Sequence, residues 1–174
     1  MAVIPVTKLG NPILRKKCNQ VTDFSGIPKI VDDMFDTMYE KEGIGLAGNQ
    51  VGLDLNLCVI DISHTEEDDV PHVFVNGEIL ERDGEYLMEE GCLSVPDVRL
   101  EFNRAERIRF RYQDINGDSY ENYFDGLLAR VIQHEIDHLN GNLIIDHVSK
   151  LVRMQHRKQL NEIKQAEKTI LAGQ

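Results

Sequence analysis

Apolar residues recur at spacings of three and four over residues 26–42. Ile27, Ile30, Val31, Met34, Phe35 and Met38 fall on one side and predict an amphipathic helix stopped by Gly43. The same period returns before Leu139. There Leu127, Leu128, Val131, Ile132 and Leu139 supply an apolar side, Asp125 is placed to cap the start, and Gly141 follows the end. A further helix is expected from about His147 to the C-terminus. Elsewhere the pattern changes to short runs and alternation. "LNLCVIDI" (55–62) reads as a buried strand, "HVFVNGEIL" (72–80) as a strand and turn, and "RIRFRYQDINGDSYENYF" (107–124) as a hairpin about Asn116-Gly117. "GIGLAGNQVG" (43–52) reads as an irregular glycine-rich loop, and the polar "SHTEEDD" (63–69) as a mobile one. Hairpins rather than regular β-α-β alternation predict an α+β fold. Antiparallel or mixed β-sheets should surround a central helix over 126–139, with a C-terminal helix over 147–174. One domain, 1–174, is expected for this length.

Composition narrows the class. With 174 residues, 41% of them hydrophobic and 28% charged, the chain can bury a core without covalent staples. Its cysteines, Cys18, Cys58 and Cys92, are odd in number, which favours thiols in a reducing compartment. The N-terminus lacks a basic segment followed by a long apolar run, and no apolar stretch approaches the ~20 residues of a membrane span. No membrane association is expected, and a cytoplasmic location is. A formal net charge of −11 argues against DNA or other nucleic acid as a partner of the whole chain. The tail departs from that average. Between 147 and 169, Lys150, Arg153, Arg157, Lys158, Lys164 and Lys168 stand against Glu162 and Glu167. On one continuous helix all of these basic residues but Lys158 fall within an arc of roughly 60°. Val148, Val152, Leu160, Ile163 and Ile170 then occupy a neighbouring arc able to dock on the domain. A solvated face is the plain alternative.

The chemistry centres on "QHEIDHLNG" (133–141). His134 and His138 lie four apart, so on a helix their Cβ atoms are about 5–6 Å apart and two imidazoles can share one metal ion. Glu135 could then serve as general base without being a ligand. The plain alternative is a polar helix face with two satisfied histidines. A catalytic site needs a third protein ligand and an open position. Downstream only Glu162 and Glu167 are available, in a charged segment that reads as solvated. Cys92 in "EEGCLSVP" is the better candidate, since a Gly precedes it and a Pro-containing turn follows; its alternative is a buried free thiol. Cys18 and Cys58 read as packing residues. His64, His72, His147 and His156 read as surface or terminal-helix residues.

Three segments together resemble the motifs of peptide deformylase: "GIGLAGNQVG" (43–52), "EGCLS" (90–94) and "QHEIDH" (133–138), with "LGNPILR" (9–15) at the start. The resemblance spans essentially the whole chain. It departs at Gly48, where the family usually has alanine; the missing Cβ gives the loop more freedom, and the change reads as tolerated. The resemblance implies that Cys92, His134 and His138 bind one divalent metal ion, Fe(II) in the cell, with Zn(II), Ni(II) or Co(II) possible in preparations. It implies a nascent N-formylmethionyl peptide as substrate and formate as product. Glu135 would carry the proton, while Gln50 and the backbone N–H of Leu93 would donate to the oxyanion. Ile44, Glu90, Leu127 and Val131 match positions near the methionine pocket, and Ile44, Gly45 and Leu93 match backbone positions that pair with the peptide. Glu90 could equally be a solvated surface residue or a partner of a loop N–H. The long C-terminal helix implies docking on the ribosome near the exit tunnel. Two competing readings are an inactive homologue that binds peptide termini and a general zinc endopeptidase. The first is disfavoured by the complete set of catalytic residue types, the second by the lack of a convincing downstream ligand.

Overall fold

The structure, a computed structural model, describes residues 2–66 and 69–174; part of the loop expected over 63–69 lies outside them. The first helix, α1 (Ile27–Glu40), buries Ile27, Val31, Met34 and Met38, as its period requires. Its ending differs from expectation. Glu42, not Gly43, takes the left-handed conformation (φ 57°), and the Gly43 N–H closes on the Met38 carbonyl at 2.9 Å, a Schellman-type stop. The expected glycine-rich loop is ordered as a strand, β1 (Gly45–Ala47), and a 3-10 turn (Gly48–Val51). Then follow β2 (Leu57–Ile60) and β3 (His72–Asp83). No turn divides β3. Asn76 (φ 53°) makes a bulge there, with register shifts against the neighbouring strand, and the strand continues because a bulge bends pairing without ending it.

A hairpin that the residue pattern did not announce comes next, β4 (Tyr86–Cys92) and β5 (Val95–Arg104), forming a sheet of its own. The expected hairpin is β6 (Arg107–Gln113) and β7 (Ser119–Asp125). The main sheet has the order β1-β2-β3-β6-β7, all antiparallel. Helix α2 (Gly126–Leu139) packs on it, burying Ala129, Val131, Ile132, Ile136 and Leu139 against Phe74, Ile108 and Phe110. Asp125 occupies the cap position but its side chain makes no capping bond. The fold is α+β, as expected.

The tail is not one helix. A 3-10 turn (Ile144–His147) leads into α3 (Lys150–Gln155), and a non-helical residue, His156, separates it from α4 (Arg157–Ala172). Phase is therefore not carried across His156, and the continuous stripe computed from sequence does not hold. Leu160 is buried, with Val148, Val152 and Ile163 packed beside it on Leu9, Val98 and Leu100. Ile170, expected to dock, is 54% exposed. Glu167, expected to be solvated, is buried and accepts a bond from Asn11 Nδ2 at 3.0 Å.

Candidate metal centre and active site

Helix α2 presents His134 and His138 one turn apart, and the β4–β5 hairpin brings Cys92 to them. Cys92 Sγ lies 3.2 Å from His138 Nε2, which lies 3.2 Å from His134 Nε2. All three donor atoms fall within 4.8 Å of one another, the only such cluster among the described residues. Ligands of a tetrahedral ion at ~2.0–2.1 Å (N) and ~2.3 Å (S) are themselves about 3.3–3.6 Å apart, so the set fits one ion of that size. The thiol suits the role. Burial pushes Cys92 up, but the neighbouring His138 and His134 outweigh that and hold it well below the ordinary thiol range.

Behind His134 is a buried carboxylate. Glu90 Oε1 accepts from His134 Nδ1 at 2.8 Å, directing Nε2 towards the other donors. Glu90 also accepts from Arg104 Nε (2.6 Å) and Arg130 Nε (2.5 Å). Burial raises its pKa, but the bonds from His134 and Arg104 hold it far below the usual carboxylate range. Arg104 continues the network to Asp137 (2.8 Å), which accepts from His147 (2.7 Å). His147 is at the surface, as expected, but is partnered and stacked on Phe102.

Glu135 faces the other side of the centre. It is 2% exposed, its Oε2 has no hydrogen-bond partner among the described residues, and Oε1 is 4.0 Å from His134 Nε2. Burial raises its pKa, with His134 and His138 opposing. An acid with one buried, unpaired oxygen is suited to accept a proton. Gly45 makes room for it, since a Cβ there would lie 2.5 Å from Glu135 Oε1.

Gln50 is held by its own turn and by the β4–β5 hairpin. Its Oε1 accepts from Ala47 N–H (2.9 Å), and its Nε2 donates to Ser94 Oγ (3.1 Å) and points towards Cys92 Sγ (3.8 Å). Ser94 in turn donates to the Thr7 carbonyl at 2.7 Å. Asn49 Nδ2 donates to the His138 carbonyl at 2.5 Å, tying this turn to the end of α2. Gly48 does not loosen the loop: a Cβ there would meet the Leu55 carbonyl at 2.5 Å.

A cleft of about 550 Å³ opens onto the centre. Ile44, Gly45, Gln50, Glu90, Leu93, Leu127, Val131 and Glu135 line it, as do Cys92 and His134; His138 lies behind, buried. Leu93 packs on Gly43, where a Cβ would come within 2.9 Å of its Cδ1. Strand β1 is the edge of its sheet beside this cleft, leaving backbone groups for an extended chain. The residues missed from sequence are Ser94, Asn49, Arg104, Arg130 and Asp137. Two signals were present in the sequence: Arg130 and Asp137 lie one turn before and after Glu90's partner His134 and close to it on the helix, and Ser94 belongs to the cysteine motif.

A Cys-His-His donor set able to hold a metal ion, beside a buried carboxylate at the end of a cleft, has the make-up of a metal-dependent hydrolase of the H-E-x-x-H kind. Comparison specifies it further. The polypeptide deformylase family pattern matches residues 3–154. The chain is 45% identical over 168 residues to peptide deformylase 2 of Xanthomonas campestris, covering 94% of this chain and 98% of that one. It is 44% identical to a peptide deformylase of Acidobacterium capsulatum, covering 88% and 91%. Among solved structures, a deformylase of Thermus thermophilus superposes with TM-score 0.88 at 40% identity, covering 94% and 99%. One from Legionella pneumophila gives 0.86 at 41%, covering 95% and 98%. The chain belongs to the polypeptide deformylase family. Its activity is the hydrolytic removal of the N-formyl group from nascent polypeptides, with release of formate.

Proposed function

We propose that Cys92, His134 and His138 hold one divalent ion, Fe(II) in the cell, and that Glu135 carries the proton in deformylation. The convergence of three donor atoms within 4.8 Å supports this reading. When bound, such an ion supplies a water of lowered pKa at neutral pH. Glu135 takes the attacking water's proton and returns one to the departing amine nitrogen. Gln50 Nε2 and the Leu93 N–H donate to the formyl oxygen as it gains charge; such donors contribute about 3–4 kcal/mol each where measured. Main-chain groups of Ile44, Gly45 and Leu93 pair with the extended peptide. Leu127 and Val131, with Ile44 and Glu90 close by, surround the methionine side chain. The experiment is metal analysis beside formate release from formyl-Met-Ala-Ser. Cys92→Ala should fall well below one metal per chain, while Glu135→Gln should keep metal and lose most turnover. Full metal occupancy in folded Cys92→Ala removes this assignment.

We further infer that the tail docks on the ribosome near its exit tunnel, which places the enzyme in the cytoplasm. Exposed Lys150, Arg153, Arg157, Lys164 and Lys168 suit phosphate contacts that weaken with salt. Leu151 (67% exposed) and Met154 (56%) add apolar surface on α3. Changing Arg153, Arg157 and Lys164 to Glu should abolish salt-sensitive co-sedimentation with ribosomes. Binding with unchanged affinity and salt slope would leave the tail a solvated face.

A further inference from the structure

Cys92 reaches the histidines from the tip of a hairpin that, among the described residues, pairs with no other strand. A two-stranded sheet is marginal by itself, and pairing is irregular where it matters, with a register shift between Glu90 and Cys92. Something must hold this hairpin against α2 to well within an ångström, or the donors do not converge. Arg130 is placed to do so, beside the Arg104–Asp137 bond that also joins β5 to α2. It is 2% exposed and stands one turn before His134 on α2. Its NH1 donates to the Tyr86 carbonyl (3.1 Å), and its NH2 to the carbonyls of Met88 (3.0 Å) and Phe102 (2.7 Å), so it grips the main chain of both strands. Its Nε donates to Glu90 Oε2, while His134 Nδ1 bonds the other oxygen of that carboxylate. The guanidinium also lies over the rings of Tyr86 and Phe102, at 5.2 and 5.3 Å. Arg104, the other buried cation, bonds only to the Glu90 and Asp137 carboxylates.

We infer that Arg130 is a positioning residue for the metal centre: one guanidinium fixes the cysteine-bearing hairpin to the histidine-bearing helix and, through Glu90, orients His134. The inference rests on the metal-centre reading above. Its cause is geometric. A fork of fixed donors can hold two strands and a carboxylate at once, which a point charge on a flexible stem cannot. Removing one partner of a buried ion pair is itself destabilising, so metal affinity and the thiolate signal, not stability, are the properties that test register.

The test compares wild type with Arg130→Lys and Arg130→Met. Co(II) is titrated into chelator-treated protein against a competing chelator, and the thiolate-to-Co(II) absorption is recorded. Wild type should bind one Co(II) per chain with a thiolate band; failure there removes the metal reading itself. Given that band, both variants should bind Co(II) about 10–100-fold more weakly, the usual range for such supporting residues, with a weakened or shifted thiolate band. Arg130→Lys keeps charge and is the variant to use if Arg130→Met does not fold. Wild-type affinity and spectrum in folded Arg130→Lys would overturn the inference, even if its melting temperature fell.

Discussion

Single atoms decide what the centre tolerates. Gly45 has no side chain because the Glu135 carboxylate occupies that space; an added Cβ would also lie 3.0 Å from Val131 Cγ1. Gly45→Ala should therefore retain metal but displace Glu135 and lower kcat at least tenfold, since an ångström of misplacement can cost about 10²-fold. Metal content and formate release measured together check it, and unchanged kcat would contradict the packing argument. Gly48→Ala restores the residue usual in the family, yet the Leu55 carbonyl bars the way here. Stability should fall by about 1–3 kcal/mol, the ordinary cost of overpacking, in denaturant unfolding. A residue's identity in the family pattern does not report how close the next loop comes; backbone distance does.

At the level of elements, the tail has two separable faces. Leu160 is buried on Leu9, Val98 and Leu100, whereas Arg153, Arg157 and Lys164 are exposed. Leu160→Ala should cost about 2–5 kcal/mol through the cavity it leaves, and the triple charge reversal should leave unfolding within about 0.5 kcal/mol of wild type. Chemical denaturation distinguishes them, and equal losses would mean the basic face is also packed. Removal of everything after Asp146 would uncover the same cluster and free Asn11 from Glu167. Truncation is thus a poor probe of docking, and charge reversal the better one. The break at His156 follows from structure alone, because the flanking residues are good helix formers in sequence.

At the scale of the molecule, a polar network joins the β4–β5 sheet to α2: Arg130 and Arg104 on the buried Glu90, and Arg104 and His147 on Asp137. Burial raises the pKa of Glu90 and Asp137, but their partners outweigh it, and both fall below the ordinary carboxylate range. A depressed folded pKa means stability that is fully present above the unfolded value, about 4, and is lost as pH falls towards the folded one. Below that pH the unfolded chain binds more protons than the folded chain. Chelator-treated protein should accordingly melt at progressively lower temperature as pH drops below about 4.5. Glu90→Gln should be less stable at pH 7 and flatter in its acid dependence. An acid limb as steep as wild type in that variant would assign the effect to other groups.

The local features were legible because they depend on neighbours in sequence. The 3.6-residue period sets α1 and α2, Asn116-Gly117 sets the β6–β7 turn, and i, i+4 spacing places His134 beside His138. Cys92 stands out in the sequence by its motif and by the lack of a downstream ligand, and its 3.2 Å approach to His138 depends on how the hairpin docks. Chain-distant approach decided the rest. Glu90 became a buried acceptor because Arg104 and Arg130 converge on it from β5 and α2. Glu167 became buried because Gly10 and Asn11 fold over α4. The glycine-rich segment became ordered because Thr7, Ser94 and the end of α2 take up its polar groups. Periodicity encodes which face is buried. It carries no information about which distant charge or carbonyl will meet that face, and in this protein those meetings align the metal donors.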